Sequence, residues 1–212
     1  MRINKLLLTT AIVSSAFFSV AANAQVSTKN FIGPSVEVGL VHQNTKLTQR
    51  YEGDGYSDRD EDYGAKFSAQ YGFQTAVPNL VIGVGASYIP TTTNDFHGLL
   101  KIKNAMGAYV EPTYVLSDST AVFGKLSYNR ASRNISLPVV DDYGAYYDKK
   151  DTLSGIGIGA GVVHFVKKDV FLKAEIESVN YGSETIPNWS PLDPFNLKTT
   201  QLNTTVSVGM KF

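Results

Sequence analysis

The chain has 212 residues, with 19 acidic residues, 19 basic residues and no cysteine. The balanced charge gives no support for nucleic acid binding, and the missing cysteine excludes a disulfide-stapled scaffold. No run of about 18 apolar residues follows residue 24, so no membrane-spanning helix is expected there. The abundance of Gly, Tyr and Phe favours an all-β chain.

The first 24 residues have the pattern of a secretory signal peptide. Arg2 and Lys5 give a positive start, and an apolar stretch follows from Leu6 to Val20. Ala22 and Ala24 then form an A-x-A cleavage site. We therefore expect residues 1–24 to be cleaved and residues 25–212 to form one domain.

The first half of the remaining chain predicts four β-strands, because apolar and polar side chains alternate with a period of two. The predicted strands cover residues 31–47, 63–75, 80–89 and 101–116. Polar connections of more than ten residues follow the first and third strands, and a tight turn at residues 76–79 follows the second. Pro112 cannot donate a ladder hydrogen bond, so a bulge or local break is expected there.

The second half predicts four more strands, over residues 121–132, 152–166, 170–181 and 201–212. Tight turns at residues 117–120 and 167–169 alternate with long connections at residues 133–150 and 182–198. The whole chain therefore alternates long and short connections. That pattern is typical of an eight-stranded antiparallel up-and-down transmembrane β-barrel with short periplasmic turns and long extracellular loops.

Periodicity does not say which face of such a barrel is outside, and a soluble lipocalin has its apolar face inside. Here the polar face carries glycines and charged residues, which suit a narrow interior. The apolar face carries aromatic residues near the strand ends, where aromatic girdles occur in membrane barrels. We therefore expect the apolar face to contact lipid.

Four segments resemble the small bacterial outer-membrane β-barrel family, which includes opacity-protein-like surface antigens, the OmpA-type transmembrane barrel and porin-family proteins. They are FIGPSVEVGL, SGIGIGAGVVHFV, DVFLKAEIESVNYG and VSVGMKF. The resemblance implies a location in the bacterial cell outer membrane, among its lipid and lipopolysaccharide. Val208, Met210 and Phe212 resemble the C-terminal signal of such barrels, which implies recognition by the barrel-assembly machinery.

Eight charged residues fall on the inward face and form the main candidate site. They are Glu37, Lys66, Glu111, Lys125, Lys173, Glu175, Glu177 and Lys211. Because unpaired charges in a packed lumen are costly, we expect them to form a network that closes the barrel. Glu111 and Lys125 flank one tight turn and are expected to be cross-strand neighbours. The alternative role for the network is a switchable ion gate.

Two other groups of residues are candidate sites. The acidic stretch that ends in Asp58–Asp62 is predicted to be a solvated loop rather than a calcium site, because it lacks EF-hand spacing. His42, His97 and His164 show no nucleophile–base arrangement, so no enzymatic activity is expected. The sequence indicates no metal and no cofactor.

The predicted function is that of a monomeric surface protein with a structural or adhesin-like role. Function of this kind is carried by loops, and four loop aromatics suit contacts with host or environmental ligands. These residues are Tyr143, Tyr146, Tyr147 and Trp189. The alternative function is a narrow porin-like channel for small solutes or ions.

Overall fold

The computed structural model describes residues 26–51, 54–90, 93–95, 100–138, 146–186 and 195–212. The predicted signal peptide lies outside these ranges. The described strands are β1 (Gly33–Tyr51), β2 (Asp54–Gln74), β3 (Leu80–Ile89), β4 (Thr93–Asp95), β5 (Leu100–Ser117), β6 (Thr120–Pro138), β7 (Tyr146–Phe165), β8 (Val170–Ile186) and β9 (Phe195–Lys211). A short 3-10 helix, Lys29–Phe31, precedes β1. No helix in the described ranges is long and apolar enough to cross a membrane.

The strands form one antiparallel sheet that closes on itself. Each long strand pairs with the next along the chain, and β1 pairs with β9, where Val38 lies opposite Val208. β3 and β4 pair with successive parts of β5 and share one position in the wall. The wall therefore has eight positions, and the predicted eight-stranded up-and-down barrel is confirmed. Closure removes the free sheet edge that the apolar last strand would otherwise expose.

The apolar face of the strands is on the outside, as predicted. Leu40 and Ile158 are 76% and 68% exposed, whereas Lys125 and Glu175 are only 5% exposed. A chain that exposes large apolar side chains and buries charged ones suits a lipid surrounding rather than water. The exposed aromatic residues of the outer wall are Tyr63, Phe67, Tyr71, Phe73, Tyr88, Tyr114, Tyr128 and Phe212.

The strands are longer than the sequence predicts. Residues 48–62 were expected to be a loop, but β1 continues to Tyr51 and β2 begins at Asp54. Likewise, the expected loop at residues 133–150 includes the ends of β6 and β7. Above the apolar band the outward face of the strands is polar, so apolar residues no longer mark that face while the backbone ladder continues. The predicted boundaries were therefore wrong at the extracellular ends.

Pro112 does not shift the register of β5. Val110 lies opposite Leu126 and Thr113 lies opposite Phe123, so both strands contain the same number of residues between these pairs. No bulge therefore lies at Pro112, but Glu111 and Pro112 have no ladder partners on β6, so the expected local break is present. Irregularities occur instead between Lys103 and Met106 and between Val115 and Ser117. A Cβ on Gly124 would lie 3.9 Å from Pro112 Cγ, which is an ordinary van der Waals contact, so the proline ring does not crowd β6 at this position.

Candidate functional site

The centre of the lumen holds a cluster of charged side chains from β2, β6 and β8. Glu175 accepts hydrogen bonds from Lys66 and from Lys125, the latter at 2.9 Å. Lys125 also donates to Glu177 at 3.0 Å. All four side chains are at least 95% buried. Their two positive and two negative charges balance, which is the arrangement in which burial of charge is tolerated.

Local features of the strands shape this cluster. Ser127 donates a short hydrogen bond to Glu177, and Asn129 donates to Ser127 at 2.7 Å, so the carboxylate is held from the β6 side. Gly157 on β7 makes room for both partners. A Cβ on Gly157 would lie 2.2 Å from Ser127 Oγ and 2.6 Å from Glu177 Oε1. The glycine on the inward face of β7 therefore permits the contact between β6 and β8.

A second cluster lies closer to the periplasmic end. Lys173 donates to Glu111 at 2.8 Å and lies 3.7 Å from Glu37. Aromatic rings complete the surroundings of two of the lysines: Lys173 Nζ is 4.5 Å from the ring centroid of Phe123, and Lys125 Nζ is 4.6 Å from that of Tyr109. Such cation–π contacts stabilise a desolvated ammonium group.

The lysine partners differ from the sequence expectation. The register places Glu111 opposite Lys125 on β5 and β6, as predicted, but their charged groups bond to β8: Glu111 accepts from Lys173, and Lys125 donates to Glu175. β8 is two positions from β6 and three from β5 in the wall, and the small diameter of an eight-stranded barrel brings side chains of such non-adjacent strands within contact distance. Lys211 lies outside both clusters, because its Nζ donates to the carbonyl oxygen of Gly33 at 2.6 Å.

The second cluster carries one positive and two negative charges. Glu37, Glu111 and Lys173 all line a cavity of about 40 Å³, which also reaches Tyr109 and Phe31. Such a cavity has room for water, which can solvate the surplus carboxylate. Lys211 also lines this cavity and brings a second positive charge to its border.

An apolar layer closes the lumen on the periplasmic side of the charges. Phe31, from the segment before β1, packs edge-on against Phe165 with the ring centroids 5.2 Å apart. The layer consists of Phe31, Val81, Val115, Ala121, Val163, Phe165 and Phe171. Gly72 lets the segment approach the wall, since a Cβ there would lie 2.1 Å from the carbonyl oxygen of Phe31. Asp118 holds the same segment through Ser27 and Asn30.

A third layer fills the lumen on the extracellular side. Its apolar part consists of Ile102, Ala131, Leu153, Val179 and Tyr181. Beside it, Arg133 forms a two-pronged ion pair with Asp151, with Nε 2.8 Å from Oδ1. The hydroxyl of Tyr181 donates to Gln201 at 3.3 Å, and Gln201 donates to Thr45 at 3.3 Å. The described interior is therefore packed along most of its length.

The sequence did not predict the apolar layer at the periplasmic end of the lumen or the mixed layer at its extracellular end. Arg133 was assigned to a loop, Asp151 fell between that loop and the next strand, and Phe31 was treated only as the start of a strand. One signal was available: Arg133 and Asp151 continue the inward parity of Ala131 and Leu153 beyond the predicted ends of the two strands. The packing of Phe31 has no such periodic signal.

The acidic stretch is divided between the two faces of β2. Asp58, Asp60 and Asp62 lie on the inward face, whereas Arg59 and Glu61 lie outward. Because neighbouring strand residues point in opposite directions, Glu61 is directed away from the aspartates. In the described residues no group of three or more His, Asp or Glu side chains is arranged to hold a metal ion.

The remaining candidates are dispersed. His42 is stacked on Tyr63 and lies 3.4 Å from Glu61, and His164 Nδ1 is 2.8 Å from the hydroxyl of Thr120 at a periplasmic turn. His97, Tyr143 and Trp189 lie outside the described residues. Tyr146 and Tyr147 belong to β7, but their side chains are not among those described.

A closed antiparallel barrel with an apolar outer wall and charged residues in its lumen defines the class of bacterial outer-membrane barrels. Comparison with known families agrees: the model of the outer membrane protein beta-barrel domain matches residues 10–212. The chain therefore belongs to that family, and it is located in the bacterial outer membrane. No curated protein gives a significant match.

Among solved structures, the chain resembles OprG from Pseudomonas aeruginosa, with a TM-score of 0.51, 10% identity, and coverage of 85% of this chain and 96% of OprG. It also resembles Neisserial surface protein A, with a TM-score of 0.44, 15% identity, and coverage of 82% and 97%. A third is Ail, the attachment invasion locus protein of Yersinia pestis, with a TM-score of 0.40, 13% identity, and coverage of 81% and 98%. At these identities the likeness concerns the fold alone.

Proposed function

We propose that this protein is a surface protein whose barrel is a closed anchor and whose extracellular strand ends make structural or adhesive contacts. The observation that carries the proposal is the filled lumen. Apolar side chains occupy its periplasmic end, ion pairs its centre, and a mixed layer its extracellular end. A barrel closed at three levels is better suited to hold a surface than to pass solutes.

The extracellular parts of the strands provide such a surface. On β1 the outward apolar residues end at Leu40, yet the strand continues to Tyr51 in register with β2. Residues 43–51 add nine positions, or about 30 Å of strand at the usual rise. The inward side chains Thr45 and Leu47 are buried, so this extension has a packed interior. Host or environmental ligands would meet a rigid surface of hairpins there.

The proposal includes no catalytic activity. His164 contacts Thr120 and His42 contacts Glu61. Covalent catalysis needs a nucleophile, a base and an acid that orients the base. Neither histidine has both a nucleophile and an orienting acid among its described contacts. A mutation of either histidine is therefore expected to leave adhesion unchanged.

Truncation of the first hairpin tests the adhesive role. Leu47 and Asp58 are directly opposite each other, so a two-residue Asn-Gly turn can replace residues 48–57 without changing the register below it. Non-adherent bacteria carrying the full-length protein should bind cultured epithelial cells or immobilised matrix proteins, and the truncated variant should bind fewer of them. The double substitution Lys167→Ser/Lys168→Ser in a periplasmic turn is the control. Unchanged adhesion after shortening each of the four extracellular connections would contradict the adhesive role.

A liposome-swelling assay distinguishes the anchor from the alternative of a narrow channel. Vesicles containing the purified protein should swell in small sugars no faster than protein-free vesicles, since the lumen is filled. Swelling that becomes slower with increasing sugar size would indicate a channel and contradict the proposal of a closed anchor.

A further inference from the structure

The extracellular half of the barrel separates its charges by face. Among strand residues with described side chains there, the outward face carries seven basic residues and one acidic residue, Glu61. The outward basic residues are Lys46, Arg59, Lys101, Lys103, Arg130, Lys150 and Lys198. The inward face of the same region has the opposite sign, with Asp58, Asp60, Asp62 and Asp151 against Arg133. Although the chain is neutral overall, its outer wall is strongly positive at this level.

Four of the outward basic residues form one patch on β5, β6 and β7, which we call the basic patch: Lys101, Lys103, Arg130 and Lys150. The strand register places Lys101, Asn134 and Lys150 in one row across the three strands. Lys103 belongs to the next row down, and Arg130 to the row below that. Rows of outward residues are about 7 Å apart and strands about 5 Å apart, so the four side chains can reach a common ligand.

The basic patch lies directly above the lipid-facing wall. The row below Arg130 consists of Ala108, Tyr128 and Ile156, which are all apolar or aromatic and exposed. Tyr128 takes the position of a girdle residue, where the hydrocarbon of the outer leaflet ends. The ammonium and guanidinium groups therefore lie at the level of the lipid headgroups.

A groove connects the two levels. It has a volume of about 620 Å³ and is lined by Ala108 and Tyr128 below, by Met106 and Arg130 at one level, and by Ser132 and Thr152 above. The bulge at Asn104 shapes its edge: this residue has a φ of +54°, and the hydroxyl of Tyr88 donates to its side-chain oxygen at 3.1 Å. A ligand that fits the groove has an apolar part toward the membrane and anionic groups toward the basic patch.

We propose that this groove and the basic patch bind a phosphorylated glycolipid of the outer leaflet, with its acyl chains along Met106 and Tyr128 and its phosphates against Arg130, Lys103 and Lys101. Phosphate accepts hydrogen bonds from arginine in a forked geometry and attracts lysine as a point charge. Basic residues next to a membrane-spanning segment also strengthen contact with anionic lipid headgroups. The site depends on the barrel being in the outer membrane and is independent of whether the loops are adhesive.

Binding of lipid A to the full-length purified protein tests the site, with native mass spectrometry in detergent micelles as the readout. The wild-type protein should retain bis-phosphorylated lipid A and release its fully dephosphorylated form. In the triple variant Lys101→Gln/Lys103→Gln/Arg130→Gln, each lost basic residue removes about a fivefold factor, so lipid A should bind roughly a hundredfold more weakly. Raising the salt concentration should reduce the difference between the two proteins.

The control variant Lys29→Gln/Lys167→Gln/Lys168→Gln loses the same charge at exposed positions on the periplasmic side and should bind lipid A as the wild type does. An equal loss of lipid A binding in both variants would mean that the net charge of the protein determines binding, and the proposal would be wrong. Equal retention of dephosphorylated and phosphorylated lipid A by the wild type would also overturn it, and that comparison needs no variant to fold.

Discussion

At the scale of single residues, Glu175 is the residue on which the central ion pairs converge. Its carboxylate accepts hydrogen bonds from both Lys66 and Lys125, and its side chain is 3% exposed. Without its charge, two buried ammonium groups would have only Glu177 as a close carboxylate partner. An uncompensated charge in such a place destabilises far more than an intact pair stabilises.

The substitution Glu175→Gln is therefore expected to lower the free energy of unfolding by about 3–5 kcal/mol, because it leaves a buried positive charge unbalanced. Urea titration of the protein in lipid vesicles measures this, with the fraction of fast-migrating unheated protein on gels as the readout of folding.

Glu61→Gln is the matched control for that measurement. Glu61 contacts His42 and Asn44 on the outer wall and is largely exposed, so its loss should cost less than about 1 kcal/mol. Equal effects of the two substitutions would mean that the central ion pairs do not contribute more than a surface pair does.

At the scale of elements, the last strand combines two roles. Residues of β9 pair with both β8 and β1, so the strand closes the barrel. Its end is held by the backbone, because the Phe212 N–H donates to the carbonyl oxygen of Pro34 at 3.0 Å. The Phe212 side chain is exposed on the outer wall and fills no part of the lumen. An assembly signal at this position is therefore separable from the packing of the folded barrel.

The substitution Phe212→Ser is expected to lower the amount of protein in the outer membrane several-fold while changing the unfolding free energy of refolded protein by less than about 2 kcal/mol, since only one lipid-facing side chain is lost. Quantitative blots of outer-membrane fractions and urea titration measure the two quantities. Tyr63→Ser removes an exposed aromatic residue elsewhere on the wall and should leave the membrane level closer to that of the wild type. Similar losses for both variants would argue against a specific signal at the C-terminus.

At the scale of the whole molecule, the lumen is closed by layers in series. The apolar layer around Phe31, the ion pairs around Glu175 and the layer around Arg133 lie at successive heights. A solute path would need all of them to open. The cavity beside Glu37, Glu111 and Lys173 measures about 40 Å³, which is far smaller than a sugar.

The substitution Lys125→Ala is accordingly expected to leave the ion conductance of planar bilayers at the background level, because the layers above and below it remain closed. Phe31→Ala should also leave the conductance at the background level, although it is expected to destabilise the barrel by about 3–5 kcal/mol through the cavity it creates. Reproducible single-channel steps in the Lys125→Ala protein would instead assign the charged cluster a gating role.

Much of the fold could be predicted from particular residues. The alternation from Tyr63 to Phe73 identifies a lipid-facing strand. The tight turns at Asn79 and Asp118 show that the strands they connect are antiparallel neighbours. The polar stretch at residues 48–62 was assigned incorrectly, because amphipathic alternation reports burial in lipid and β2 continues beyond the lipid. Local sequence therefore predicts the strands best inside the bilayer, where the outward face must be apolar and the inward face can be polar.

The candidate site was predictable as a set of residues but not as a set of contacts. Parity along each strand places Glu37, Glu111, Lys125 and Glu175 inside the barrel. Which lysine meets which carboxylate depends on the strand stagger and the lumen diameter, which no single strand encodes. Lys211 is an example: parity assigns it to the inward face, but it does not reveal that its ammonium group donates to the carbonyl oxygen of Gly33.

The sequence by itself indicated a membrane barrel, because eight alternating segments are joined by alternating long and short connections and the charged residues and glycines fall on the polar face. Only the tertiary structure decided that Lys125 of β6 and Glu175 of β8 meet over β7 and that Phe31 closes the periplasmic end of the lumen. It also placed the basic patch of β5, β6 and β7 on one surface. These contacts join residues far apart in the chain, and their distances are set by how the sheet closes.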